Sequence, residues 1–382
     1  MRQETALEVR NNRASRTKSA QCGVCLSTLG PVQVIVASNP RSGLGRAAIA
    51  ARQFSVELAS CGISTWPIEL GAADDDERIA AATRCGPSIL VAAGGDGTVR
   101  SLLQNARETG AVLFHLATGN ENLFARHFNW PLAPRAAARL IASTLGLIAQ
   151  ADGVAHSRSI AAISLDGTTA DGLQISELAA IMLSIGPDAE VVSVLDRTPR
   201  TLPGHLAYIL PVLATLPRLR MPALTIVADG RAIAREQPGW LLLSNMNEFA
   251  LRIDPLPGAT ELDGYIDGLF VPLRGGTKPG DGVASIADSI GLIAELLRQH
   301  AQSLPGARRF RARELVVSGR GFFAQADGDL IPTTRPSQTA RRNPLAKPAT
   351  GDAAYCCDQL RIRCVPNCVR VLHATAASLL HN

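Results

Sequence analysis

In the first third of the chain, apolar residues come in short runs set apart by glycine, proline and acidic residues. Val32 to Ala37 is a β-branched run of the kind that forms a strand buried on both faces, and Asn39-Pro40-Arg41-Ser42-Gly43 breaks it. From Gly45 the period changes. Ala47, Ala50, Phe54 and Leu58 recur at helical spacing, and Gly62 stands at a C-cap position. Ile63 to Leu70 predicts a second strand, and the acidic run Asp74-Asp75-Asp76-Glu77 opens a helix where negative charge suits the dipole. Ile89 to Ala93 and Ala111 to Leu116 predict a third and a fourth strand, with a helix from Val99 between them. Strands alternating with helices at such short spacing imply a parallel sheet with right-handed crossovers, whose ligand crevice lies at the carboxyl ends of its strands.

From about residue 155 the pattern is different. Ile160 to Leu165, Ala189 to Val194, Leu224 to Ala228, Trp240 to Ser244 and Leu269 to Leu273 are short strand candidates divided by Gly, Pro and Asp, which predicts an antiparallel, sandwich-like second domain. Two helical stretches interrupt it, Gly204 to Leu216 and Ile286 to Gln299. The first is almost wholly apolar and is followed by Arg218 and Arg220; it reads either as a helix packed on the sheet or as one lining an apolar cleft or meeting a membrane face. Residues 1–31 are polar and basic without a signal-peptide core and read as a flexible tail. The expected organisation is an α/β domain over 32–153 and a β-rich domain over 154–372, with a flexible insertion at 331–358 before a closing, hairpin-like Leu360 to Leu372, and a tail at 373–382.

Composition narrows the function classes. A chain of 382 residues exceeds one ordinary core, in keeping with two domains. The net charge of +5 is modest and lacks the dense basic stripe of a nucleic-acid binder, leaving an acidic substrate or a membrane surface as compatible partners. No apolar run reaches the roughly eighteen residues of a membrane-spanning helix, so a cytoplasmic protein, soluble or peripheral at the inner face of the membrane, is expected. The eight cysteines include Cys22 and Cys25 in the tail and Cys356, Cys357, Cys364 and Cys368 far away. Nothing in that spacing requires zinc or a disulfide, and they read as small buried hydrophobes in a reducing compartment. Oligomeric state stays open, a homodimer included.

The candidate chemistry sits at Gly94-Gly95-Asp96-Gly97-Thr98, a strand, a glycine turn and a helix start in succession. Glycines let the backbone approach a phosphate, while the first helical N–H groups and the Thr98 hydroxyl point toward anionic oxygens. Asp96 would be repelled by phosphate unless a cation or a donor hydroxyl lay between, which suggests metal-assisted phosphate chemistry. Asn39 to Gly43 and the loop Thr118-Gly119-Asn120-Glu121-Asn122 would open at the same sheet edge, and three turns meeting there make a binding site.

These residues carry a family resemblance. Asn39-Pro40-Arg41-Ser42-Gly43 resembles an NPxSG turn, Gly94 to Thr98 a GGDGT turn, and Gly119 to Arg126 a GTxN(D/L)xAR segment of the bacterial diacylglycerol kinase and sphingosine kinase group of lipid kinases. Further along, Gly186 to Val191 is similar to the family's GxDAxV turn, Asp263 to Asp267 to its DGxLD segment, and Gln325 to Asp329 to its QxDGE motif. GGDGT alone is shared with NAD kinases; the ordered set is much more specific. The resemblance, spanning about Val32 to Leu372, implies a nucleotide-binding domain of the NAD kinase and diacylglycerol kinase type, with ATP-dependent phosphorylation of a lipid hydroxyl in the cleft it shares with the β-rich domain. Carried over, it places the nucleotide on Asn39, Ser42, Gly43, Gly94, Gly95, Asp96, Gly97, Thr98, Val99, Arg100 and Asn120. Asp96 and Asp329 become the catalytic carboxylates, Asp329 as general base. Asp263, with the carbonyls of Thr260 and Tyr265, becomes a magnesium position. The chain departs from the pattern where Arg100 and Ser101 replace Asn and Glu after GGDGT, and where Asp329 replaces Glu. A nucleotide- or lipid-binding relative without turnover and an NAD kinase are the other readings.

Overall fold

The structure, a computed structural model, describes residues 32–40, 42–150, 157–169, 172–197, 221–248, 254–273, 304, 306–331 and 356–373. The expected tail at 1–31, the helices at 204–216 and 286–299, and almost all of the 331–358 insertion and of the 373–382 tail lie outside the described residues. The first part is the alternation that the sequence predicts: β1 (Gln33–Ser38), α1 (Arg46–Ser60), β2 (Thr65–Glu69), α2 (Asp75–Thr83), β3 (Ser88–Gly94), α3 (Asp96–Thr109), β4 (Val112–Ala117), α4 (Leu123–His127) and α5 (Pro134–Gln150). Its strands run parallel in the order β2-β1-β3-β4. Every residue of β3 and β4 is buried, as a parallel strand covered on both faces requires, and α1 packs against α5 while α2 packs against α3. Phe54 from α1, Phe114 from β4 and Trp130 after α4 meet in the core, with ring centroids 6.5 and 4.6 Å apart.

The remainder is β-rich: β5 (Ser157–Thr169), β6 (Gln174–Ala179), β7 (Met182–Ile185), α6 (Pro187–Arg197), β8 (Ala223–Ala228), β9 (Arg231–Ser244), β10 (Ile266–Pro272), β11 (Arg308–Ala312), β12 (Glu314–Ala326), β13 (Asp329–Ile331) and β14 (Cys356–Leu372). Its pairings are antiparallel. A second core of Ile163, Leu183, Leu224, Leu241, Phe270, Leu315 and Leu360 fills the space between its layers. The strand β12 serves two layers because its register shifts between Ser318 and Phe322, where Gly319 and Gly321 let the chain bend. Its first part pairs with β8 and β14, its last three residues with β7 and β13.

Two expectations need correction. The segment Ala189 to Val194 is helical, inside α6, because Pro187 pre-sets the first helical φ and Asp188 and Glu190 occupy the first turn, which outweighs its β-branched composition. The chain end at Leu360 to Leu372, expected to be hairpin-like, belongs to one 17-residue strand bent by a bulge between Val365 and Val369, where Pro366 is tolerated because the ladder is already broken. The last residues of β14 pair in parallel with β4, Arg370 opposite Val112 and Val371 opposite Leu113, so the two parts share one continuous sheet. Among the described cysteines, Cys357 and Cys368 are buried as expected, whereas Cys61 and Cys85 are exposed.

Candidate active site

Three loops meet at the carboxyl end of β1, β3 and β4, each tied to its neighbour by a hydrogen bond. The Gly95 N–H donates to Ser42 Oγ at 2.9 Å, Asn39 Nδ2 donates to Thr98 Oγ1 at 3.3 Å, and the Thr118 N–H donates to the Gly94 carbonyl at 2.8 Å. Gly119 closes the third loop over the turn that precedes α3. A Cβ on it would lie 2.8 Å from Gly95 Cα, so a larger residue would force the two turns apart. Asn122, with φ 52°, accepts from the Gly119 N–H at 2.8 Å and caps the start of α4. Asn120 stands exposed at the tip of this loop.

At the start of α3, Thr98 and Val99 donate their N–H groups to the Gly95 carbonyl, and Ser42 takes that of Gly95. That leaves the amides of Asp96 and Gly97, among the described residues, as the helix donors for an anion. Asp96 Oδ1 accepts from the Phe124 N–H at 3.0 Å, which anchors α4 to the turn, and its Oδ2 makes no hydrogen bond among the described residues. Beneath the turn, fully buried His115 donates from Nε2 to the Gly94 carbonyl at 3.0 Å. Burial pushes its pKa below the ordinary 6.5, against the pull of the Asp96 charge. The folded protein thus resists protonation there. Its stability is full above pH 6.5 and falls as pH drops below 6.5 toward the folded value, by at most about 1.4 kcal/mol per pH unit. We expect His115→Gln to lose less stability than the parent between pH 7 and 5.5, read from urea unfolding at both pH values; equal losses would refute this.

The β12–β13 turn brings two aspartates to this edge, and they do different things. Asp327, with φ 49°, turns inward: Oδ2 accepts from the Ala180 N–H at 2.7 Å, and Oδ1 accepts from Ile181 and Met182 at 2.9 Å each. Burial raises its pKa, with these backbone donors acting in the opposite direction. Asp329 turns outward onto α3, where a Cβ on Gly97 would lie 2.6 Å from its Oδ2. A side chain at Gly97 would displace that carboxylate. The turn itself is held by Gln325, whose Oε1 accepts from the Gly328 N–H at 3.0 Å and whose Nε2 donates to Asp188 Oδ2 at 3.1 Å. Asp188 also accepts from the Trp240 indole N–H at 2.8 Å and from Ser184, and burial raises its pKa.

Residues 33–152, from β1 to just past α5, match the sequence profile of the diacylglycerol kinase catalytic domain. A solved structure of a candidate diacylglycerol kinase from Bacillus anthracis str. Sterne is similar over 90% of this chain and 98% of that chain, with a TM-score of 0.59 and 15% identity. The structure of a diacylglycerol kinase from the same strain is similar over 91% of this chain and 98% of that chain, with a TM-score of 0.55 and 14% identity. At such identity the likeness is one of fold. No curated protein matches the chain by sequence.

Within the matched segment, two of the expected nucleotide residues are turned away from the loop edge. Val99 is 1% exposed and its N–H is spent inside the helix. Arg100, expected at the phosphates, is buried and directed at the β-rich part: Nε donates to the Leu178 carbonyl at 3.3 Å and Nη2 pairs with Glu177. Glu177 carries no sequence signal, since only folding places it beside a residue 77 positions earlier. The expected magnesium position is likewise engaged. Asp263 accepts from the Tyr265 N–H at 3.0 Å and pairs with Arg311, a cation that competes with a metal, and no third acidic, His or Cys ligand joins it among the described residues. Nearby, buried Glu261 fastens the loop before β10 to α4 through His127 Nε2 at 2.9 Å and to β5 through Arg158 at 2.7 Å. Burial works to raise the Glu261 pKa, but His127 and Arg158 hold it below the usual value.

Proposed function

We propose that the chain is a lipid kinase that transfers the γ-phosphoryl group of ATP to the hydroxyl of a diacylglycerol, a sphingoid base or a related lipid. The observation that carries this reading is the Asp329 carboxylate resting on Gly97, in the first turn of the helix whose open amides face the phosphate loop. A lipid hydroxyl placed between them would attack the γ-phosphorus as its proton passes to Asp329; the bond to the β-phosphate oxygen breaks and ADP leaves. The Asp96 and Gly97 amides would bind phosphate, with Ser42, Gly43, Asn39 and Thr98 fixing the loop around it. Magnesium bound with ATP would neutralise phosphate charge, and Asp96, with one oxygen outside the Phe124 bond, is the carboxylate at the loop that fits it. The lipid would be reached from a membrane surface, in keeping with the absence, among the described residues, of any helix long and apolar enough to cross one.

Purified protein incubated with labelled ATP, magnesium and a panel of diacylglycerols, sphingoid bases, polyprenols and NAD tests the proposal. Label is expected in a lipid and absent from NAD. Transfer to NAD alone, or no transfer to any acceptor, would overturn it.

A further inference from the structure

Arg100 points to an assignment that rests on the lipid kinase reading and adds a residue to it. It sits three positions after Gly97, on the same face of α3, and its side chain is only 4% exposed. Its Nε and Nη2 are spent on Leu178 and Glu177 of β6. The remaining nitrogen, Nη1, is buried without a hydrogen-bond partner. It lies 3.9 Å from Asp329 Oδ2. A buried guanidinium N–H that lacks an acceptor is costly, and here the Asp329 carboxylate is about 0.7 Å beyond hydrogen-bond range. A small side-chain rotation closes that distance, since the Asp329 side chain is 50% exposed and Gly97 presents no side chain against it.

We propose that Arg100 is a positioning residue for the base: Nη1 donates to Asp329 Oδ2 and fixes the carboxylate above Gly97, while Glu177 sets the plane of the guanidinium. Arg100 then touches neither phosphate nor lipid. Its bonds to β6 also make the placement of the base depend on the docking of the β-rich part against α3. The pairing gives a use to the arginine after the glycine turn, which the phosphate loop does not employ.

The test uses the full chain with ATP, magnesium and the best acceptor from the panel above. Arg100→Met is expected to lower kcat by about 10²-fold, the scale of a misplaced reacting group, while ATP affinity measured by calorimetry stays within about threefold. Combined with Asp329→Asn it should cost little beyond Asp329→Asn alone, because both act through one carboxylate. Arg100→Lys and Glu177→Gln should each lower kcat by about tenfold, and they decide the matter if Arg100→Met does not fold. A tenfold loss of ATP affinity at unchanged kcat would make Arg100 a phosphate ligand and overturn the proposal, as would multiplicative losses in the double variant or full kcat in both conservative variants. If the parent protein transfers phosphate to nothing, the lipid kinase reading falls with it. If the parent is active, Asp329→Asn inert and Arg100→Met fully active, only the present proposal falls.

Discussion

Asp329→Asn is expected to lower lipid phosphorylation by about 10²- to 10⁴-fold while leaving ATP binding within about threefold of the parent. The asymmetry follows from where the residue stands. Its carboxylate rests against Gly97 but is half-exposed, so the amide can occupy the same space without disturbing the core. Asparagine keeps the shape and the polarity of the side chain and removes its ability to take the acceptor proton. Nucleotide binding, in the proposed function, would draw instead on the Asp96 and Gly97 amides and on the Ser42, Asn39 and Thr98 loop contacts, which the substitution does not touch. Steady-state kinetics with calorimetric ATP titration separates the two effects. A variant that keeps the parent kcat would remove Asp329 from the chemistry.

Asp327→Ala, two residues earlier, should act on stability instead. The change strips the acceptor from three buried N–H groups, those of Ala180, Ile181 and Met182, and each orphaned donor costs about 1–3 kcal/mol. Alanine is also strained at φ 49°, where Asp and Asn are tolerated. Allowing for relaxation around the site, a loss of about 3–5 kcal/mol is expected, a large share of the 5–15 kcal/mol that holds a typical domain together. Asp327→Asn keeps the backbone conformation and one acceptor oxygen and should lose less. Urea unfolding at pH 7.5 reads both, and an alanine variant within about 1 kcal/mol of the parent would contradict the role assigned to this carboxylate.

The contrast between these neighbours marks where sequence reasoning stops. The parallel sheet and the turn at Gly94 to Thr98 were legible because the signals are local: a buried apolar run, then glycines, then a helical period. The division of labour between Asp327 and Asp329 was not, since it depends on a left-handed turn and on β7 lying alongside. The family resemblance places Arg100 at the nucleotide, but on a helix the third residue after Gly97 shares its face, and that face meets β6. In the β-rich part, β6, β7, β11, β12 and β13 are not among the expected strands. Arginines crowd β11, an edge strand where charge discourages further pairing, and glycines interrupt β12, so neither shows a clean alternation. The segment in α6 was misread because β-branched residues were weighed above the proline and acids that start a helix.

The return of β14 to β4 has a consequence for how the chain is made. As the polypeptide leaves the ribosome, the four parallel strands of the catalytic domain emerge first, yet the neighbour that covers the outer edge of β4 arrives some 250 residues later, with Arg370 and Val371. Until then β4 offers bare amide and carbonyl groups, the kind of template that recruits stray strands. A nascent chain halted before β14 is therefore an aggregation-prone species. Cutting the protein after α5 would leave the same raw edge permanently, so the isolated α/β segment is expected to aggregate more readily than the full chain.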